Sequence, residues 1–173
     1  MPEEILSPFE EIGRSKRTLD PCIVVIFGAT GDLTAHKLMP ALYNLKREGQ
    51  LPANFACCGF ARREKSHDMF REEMKTAVSE NSRVKPIEDN IWTPFQEQLY
   101  YHQSEFDDDD GYERFIKMLD KLDKELGTQG NRIYYLSTQP SFFPTIVEKL
   151  KKHHLIYDSG SPEKKWSKVI IEK

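Results

Sequence analysis

CIVVIFGATGDL, residues 22–33, is the stretch whose reading decides the fold. Its first half, Cys22–Phe27, is a continuous apolar, β-branched run with no polar alternation. A strand covered on both faces, as in a parallel sheet, reads this way. Its second half, Gly28–Leu33, carries two glycines and leads straight into a helical pattern. Strand, glycine-bearing turn and helix, in that order, open a doubly wound α/β sheet.

Working outward, the same alternation continues. Helix one is expected over Leu33–Glu48, with Leu38, Leu42 and Leu45 as its buried face and Gly49 ending it. Pro40 belongs in its early turns or kinks it. The second strand is Phe55–Phe60, and helix two runs over Ser66–Val78 with Ser66 as N-cap and Phe70, Met74 and Ala77 inward. Residues 81–98 carry Pro86 and Pro94 and no interpretable motif beyond a short helix around Trp92–Gln98. A third strand, Leu99–His102, precedes the acidic run Asp107–Asp110 and a helix over Tyr112–Leu126. In that helix Tyr112, Phe115, Leu119, Leu122 and Leu126 form one stripe. The fourth strand is Arg132–Leu136. A helix over Ser141–His153 follows, with Phe142, Ile146, Val147 and Leu150 inward. After the polar loop Asp158–Lys165 comes a last strand, Lys168–Ile171. Five strands alternating with helices predict a Rossmann-like, doubly wound parallel sheet, as one domain over 21–173 behind a polar tail, 1–20.

Composition narrows the function. The chain has 173 residues, 38% hydrophobic and 31% charged, with net charge -3. That suits one soluble domain and offers no basic stripe for nucleic acid. No run is long enough to span a membrane, and residues 1–20 lack the apolar core of a signal peptide, so a cytoplasmic location is expected. Cys22, Cys57 and Cys58 all fall in strands and read as reduced core thiols rather than a disulfide framework or zinc site. Asp107–Asp110 suits the positive end of a helix dipole. The alternative, a metal loop, lacks the spaced ligands and glycine of a calcium hand.

Two strand ends carry the chemistry. In Gly28-Ala29-Thr30-Gly31-Asp32-Leu33, Gly28 permits a tight turn and Gly31 a close backbone approach to a pyrophosphate. Free N–H groups at the helix start then hold the anion. The pattern is GxxGDL rather than the full GxGxxG, and a plain αβ turn can also hold two glycines. The second strand ends in Gly59-Phe60-Ala61-Arg62-Arg63, where an NAD site usually carries an acidic residue for the ribose 2′-hydroxyl. A guanidinium can grip a 2′-phosphate by paired hydrogen bonds, so Arg62 favours NADP over NAD. The alternative is that Arg62 and Arg63 are solvated surface charges. Lys37 is a candidate second cation for that phosphate.

At this point the sequence resembles a known family. IFGATGDLTAHKLMPALYNL is similar to the IFGASGDLAxxKLxPALYxL signature of the glucose-6-phosphate dehydrogenases. GFARRE resembles the family's second-strand motif, NRIYYLSTQPSFF its NRLFYLALPPxxF segment, and VIIEK the start of VIxEKPFG. The resemblance runs in order from about Pro21 to Lys173. It implies that Gly28, Ala29, Thr30, Gly31, Asp32 and Leu33 hold the pyrophosphate of NADP, and that Lys37 and Arg62 serve its 2′-phosphate. It implies that Ser137, Thr138, Gln139, Pro140 and Phe143 lie beside the nicotinamide half. Lys173 matches a lysine that contacts both coenzyme and sugar phosphate, and Glu105 and Phe106 fall on the adenine side. Departures are Thr30 for a common Ser, Ala35 and His36 where basic residues are common, and Gln139-Pro140 for Pro-Pro.

The resemblance further implies oxidation of glucose 6-phosphate to 6-phosphogluconolactone, by a parent enzyme that is a homo-oligomer. The family's general base is a histidine in an R-I-D-H-Y-x-G-K motif of a second, α+β domain. That motif is absent from these 173 residues, as is the proline that follows the family's Glu-Lys pair. His36, His67, His102, His153 and His154 read as surface or core background. A chain cut off at that point is expected to bind NADP and not to turn over. Two rivals stand beside this reading. A short-chain oxidoreductase would need a Tyr-x-x-x-Lys pair, which is missing. A regulatory nucleotide-binding module is the other.

Overall fold

The computed structural model describes residues 19–158, 160 and 162–172. Its elements, in chain order, are β1 (Cys22–Phe27), a π-helical turn (Thr34–Leu38), α1 (Met39–Arg47), β2 (Phe55–Ala61) and α2 (His67–Asn81). They continue with α3 (Asp89–Gln96), β3 (Leu99–Gln103), α4 (Asp109–Leu126) and β4 (Arg132–Leu136). A 3₁₀ turn (Pro140–Phe142), α5 (Phe143–Lys152) and β5 (Ser167–Ile171) complete it. The strands form one sheet in the order β3-β2-β1-β4-β5, and each pair is parallel. This is the doubly wound α/β fold that the alternation predicts.

The sheet separates two cores. One face packs Ile23, Val25, Phe27, Phe60 and Tyr134 against α4 and α5. The other packs Ile26, Phe55 and Cys57 against α1, α2 and α3. The uniformly apolar strands follow from this, since every residue of β2 and every residue of β1 except half-buried Val24 is buried. The three cysteines are free and buried. Burial pushes the Cys57 thiol up to about 12, as expected of inert core thiols.

Helix one differs from expectation. It opens as a π-turn, with the Met39 N–H bonded to Thr34 O five residues back. Pro40 has no N–H to give and its ring crowds the carbonyl four residues earlier. Widening the turn relieves that crowding. The extra residue also rotates the helix about its axis. Met39, Pro40 and Tyr43 become the buried positions, while Leu38, Leu42 and Leu45 are half-buried.

The segment 81–98 is ordered by packing rather than by pattern. α3 starts earlier than its prolines suggest, carries Pro94 inside, and buries Trp92 and Phe95 beside Tyr43. The Glu88 N–H donates to the Tyr43 hydroxyl at 2.9 Å. α4 begins at the acidic run. Asp108 caps it by accepting from Asp110 N–H at 3.1 Å, and Asp109 takes Lys149, Lys152 and His153 from α5. No metal-binding cluster occurs among the described residues. No helix among them is long and apolar enough to cross a membrane.

Candidate functional site

Ligands of a doubly wound sheet bind at the carboxyl ends of its strands, where the strand order reverses. Here that point lies between β1 and β4. Gly28 follows β1 and Ser137 follows β4. Gly28 N–H donates to Phe60 O at 2.9 Å, and Ser137 N–H donates to Phe27 O at 2.9 Å. The tips of β1, β2 and β4 are thereby tied together.

Two glycines make this junction possible. Gly28 has φ +87, and a Cβ there would stand 2.5 Å from Ser137 O and 2.9 Å from the Thr138 methyl. A Cβ on Gly59 would stand 2.7 Å from Ala29 Cβ and 2.9 Å from the Phe70 ring. The loop after β1 therefore rests directly on β2 and against the loop after β4, with no room for side chains between them. Helical backbone begins at Asp32. The first N–H groups of a helix have no partner within it.

These contacts shape a hollow of about 290 Å³, lined by Gly28, Thr30, Gly31, Ala61, Arg62, Arg63, Phe106 and Phe142, with Ser137, Thr138 and Gln139. The buried Ser137 Oγ has no hydrogen-bond partner among the described residues. Arg62 lies over the Phe106 and Phe142 rings, 5.9 and 5.5 Å from their centroids. Its Nε is 4.0 Å from Glu105 Oε2.

The sequence-derived residues divide accordingly. Gly28, Thr30, Gly31, Arg62, Ser137, Thr138 and Gln139 line the hollow. Ala29 is fully buried beneath it. Asp32 is exposed at the helix start and Leu33 half-buried, while exposed Pro140 opens the 3₁₀ turn. Lys37 is not in the lining. It stands with His36, Asn81 and Arg83 along a separate groove beside α1. Phe143 packs against the core on the α5 side and is not in the lining, where the aromatics are Phe106 and Phe142. Phe142, expected inward, does pack against the core from the 3₁₀ turn, and it borders the hollow as well. Lys173 lies outside the described residues. Of the histidines, His102 is buried and within hydrogen-bond reach of Gly111 O at 2.9 Å. His153 pairs with Asp109, and His67 accepts from Tyr101 N–H at 2.9 Å.

The comparisons with known proteins agree with this fold. Residues 25–173 match the family model described as "Glucose-6-phosphate dehydrogenase, NAD binding domain". The chain belongs to the glucose-6-phosphate dehydrogenase family. It is 54% identical over 95% of its length to a glucose-6-phosphate 1-dehydrogenase of Chlamydia pneumoniae, spanning 32% of that protein. It is 45% identical over 97% of its length to the enzyme of Chlamydia muridarum, spanning 33% of it. Among solved structures it superposes with TM-score 0.75 and 30% identity on a glucose-6-phosphate dehydrogenase in complex with glucose 6-phosphate. That match covers 89% of this chain and 30% of the other. A glucose-6-phosphate 1-dehydrogenase from Mycobacterium avium gives TM-score 0.71 at 25% identity. The chain thus spans about a third of the length of the relatives it matches.

Proposed function

We propose that this chain is the NADP-binding part of a glucose-6-phosphate 1-dehydrogenase. The observation that carries the coenzyme reading is Arg62. It directly follows β2 with its side chain 55% exposed, in the lining of the hollow that also includes Gly28 and Gly31. Three features fit a dinucleotide. The Gly28 turn leaves its neighbours' N–H groups accessible to a pyrophosphate. Ser137 Oγ is a buried polar atom without a partner among the described residues, suited to a ligand oxygen or amide. Arg62 presents a fork that a dianionic 2′-phosphate fills better than a hydroxyl.

In this reading Gly28 to Leu33 receive the diphosphate, Arg62 selects the phosphorylated ribose, and Ser137 to Gln139 border the nicotinamide. Phe106 and Phe142 hold the Arg62 guanidinium at the ribose side. The bound coenzyme would supply a hydride acceptor for C1 of glucose 6-phosphate. Removal of the C1 hydroxyl proton requires a base, and none of the five histidines lies in the hollow's lining. The 173 residues alone therefore bind coenzyme and do not turn over.

Calorimetric titration of the 173-residue chain with NADP+ and NAD+ tests the first part. Tighter NADP+ binding that is lost in Arg62→Ala supports it, and equal affinities insensitive to that change overturn it. An NADPH absorbance assay with glucose 6-phosphate tests the second part, and measurable turnover by the pure chain overturns it.

A further inference from the structure

Arg62 shares its strand end with a carboxylate. β2 and β3 are paired, with Ala61 opposite Gln103, so the residues just beyond leave the sheet side by side. The backbone there is pinned. Ser104 N–H donates to Ala61 O at 2.9 Å, the Gln103 side-chain amide donates to Arg62 O at 3.0 Å, and Ser104 Oγ donates to Glu105 O at 2.8 Å. Glu105 is thereby held facing Arg62, Oε2 to Nε at 4.0 Å, although both side chains are more than half exposed. So exposed a pair contributes little to stability.

The neighbouring acidic residues serve other ends. Asp108 caps α4, and Asp109 holds α5. Glu105 caps no helix, and its carboxylate has its ion pair only with Arg62 among the described residues. An NAD site commonly places an acidic residue at the end of β2, where it accepts from the ribose 2′-hydroxyl. In this chain the end of β2 carries the cation, and the carboxylate stands on the adjoining strand end.

We propose that Glu105 sets the coenzyme selectivity of this site, its carboxylate favouring the free ribose 2′-hydroxyl and opposing a 2′-phosphate. The inference rests on the coenzyme reading given above. With NAD, the Arg62–Glu105 pair stays closed and Glu105 accepts from the hydroxyl. With NADP, Arg62 must exchange Glu105 for the phosphate, which is then seated near a like charge. The Phe106 and Phe142 rings under the guanidinium keep Arg62 in place during that exchange. The site thus holds a recognition group for each form of the ribose, and their mutual attraction narrows the preference that Arg62 alone would give.

The test is Glu105→Gln in the 173-residue chain, titrated calorimetrically with NADP+ and with NAD+, alongside Arg62→Ala. Removing the charge tightens NADP+ about fivefold and weakens NAD+ about threefold, changes of the size expected for one exposed charge. A purely structural role for Glu105 would move both affinities in the same direction, so that result overturns the inference. Unchanged affinities also overturn it. If NADP+ binding depends on Arg62 while Glu105→Gln moves nothing, this inference alone fails. If the unaltered chain binds neither coenzyme, the coenzyme reading fails and takes this inference with it.

Discussion

Arg62 and Arg132 are the same side chain in opposite surroundings at opposite ends of one sheet. Arg132 opens β4 at the amino end. Its side chain is 3% exposed, and it grips Asp123 with both terminal nitrogens, at 2.9 and 2.5 Å. Asp123 also accepts from the Thr128 hydroxyl at 2.6 Å and from Gly130 N–H at 3.1 Å. The loop from α4 into β4 is closed around that carboxylate. Arg62, at the carboxyl end, has a single distant partner and open water beside it. One cation has its charge neutralised by the fold, and the other has only a weak, exposed pair among the described residues. Exposure and number of partners, rather than residue type, separate an arginine held by the fold from the one proposed to meet the coenzyme.

The largest expected effect falls on the locked member. Arg132→Ala leaves the Asp123 carboxylate half-buried without its cation and should destabilise the domain by about 3–5 kcal/mol, measured by urea unfolding. The pair also gives an acid signature. Burial acts to raise the Asp123 pKa, but hydrogen bonds from Arg132 and Thr128, and the Arg132 charge, outweigh it and hold the carboxyl below its usual value. A carboxylate with a lowered folded pKa stabilises above its unfolded pKa of about 4 and loses that stabilisation as pH falls through the folded value. The unaltered chain should therefore lose stability below about pH 4 more steeply than Asp123→Asn. Parallel slopes would mean that the pair is neutral to folding.

The carboxyl edge of the sheet is more legible in the sequence than the amino edge. Gly28, Arg62 and Ser137 sit beside strand ends, and a parallel sheet brings strand ends together whatever its details. Asp123 and Arg132 lie nine residues apart across a helix end, two glycines and a turn, and no period or motif links them. Lys37 shows the limit of the same logic. The π-turn at Thr34–Leu38 changes the helical phase there, and Lys37 stands along the groove beside α1 rather than in the hollow's lining. The packing of residues 81–98 was illegible because Trp92 and Phe95 are held by Tyr43 of a distant helix rather than by local pattern.

The next effect sits between the two arginines. Gly28→Ala places a methyl 2.5 Å from Ser137 O at a φ of +87. Positive φ and the steric overlap together should destabilise by about 3 kcal/mol and should abolish NADP+ binding by separating the β1 and β4 loops. Unfolding curves and titration of the same sample check both. Retained affinity in a destabilised protein would show that the junction supports the fold and not the ligand.

The smallest effect on stability, and the sharpest contrast with Arg132, belongs to Arg62. Arg62→Ala should change unfolding by less than about 0.5 kcal/mol, because an exposed side chain with one weak pair leaves nothing buried and unpaired. NADP+ affinity should nevertheless fall about 10- to 100-fold, the worth of charge-assisted bonds to a phosphate. Arg62→Lys separates charge from shape. A lysine keeps the attraction but not the planar fork, and it stacks less well on Phe106 and Phe142. It should recover part of the affinity lost in Arg62→Ala. Full recovery would reduce Arg62 to a point charge. No recovery would place its contribution in the paired hydrogen bonds and the stacking that Phe106 and Phe142 provide.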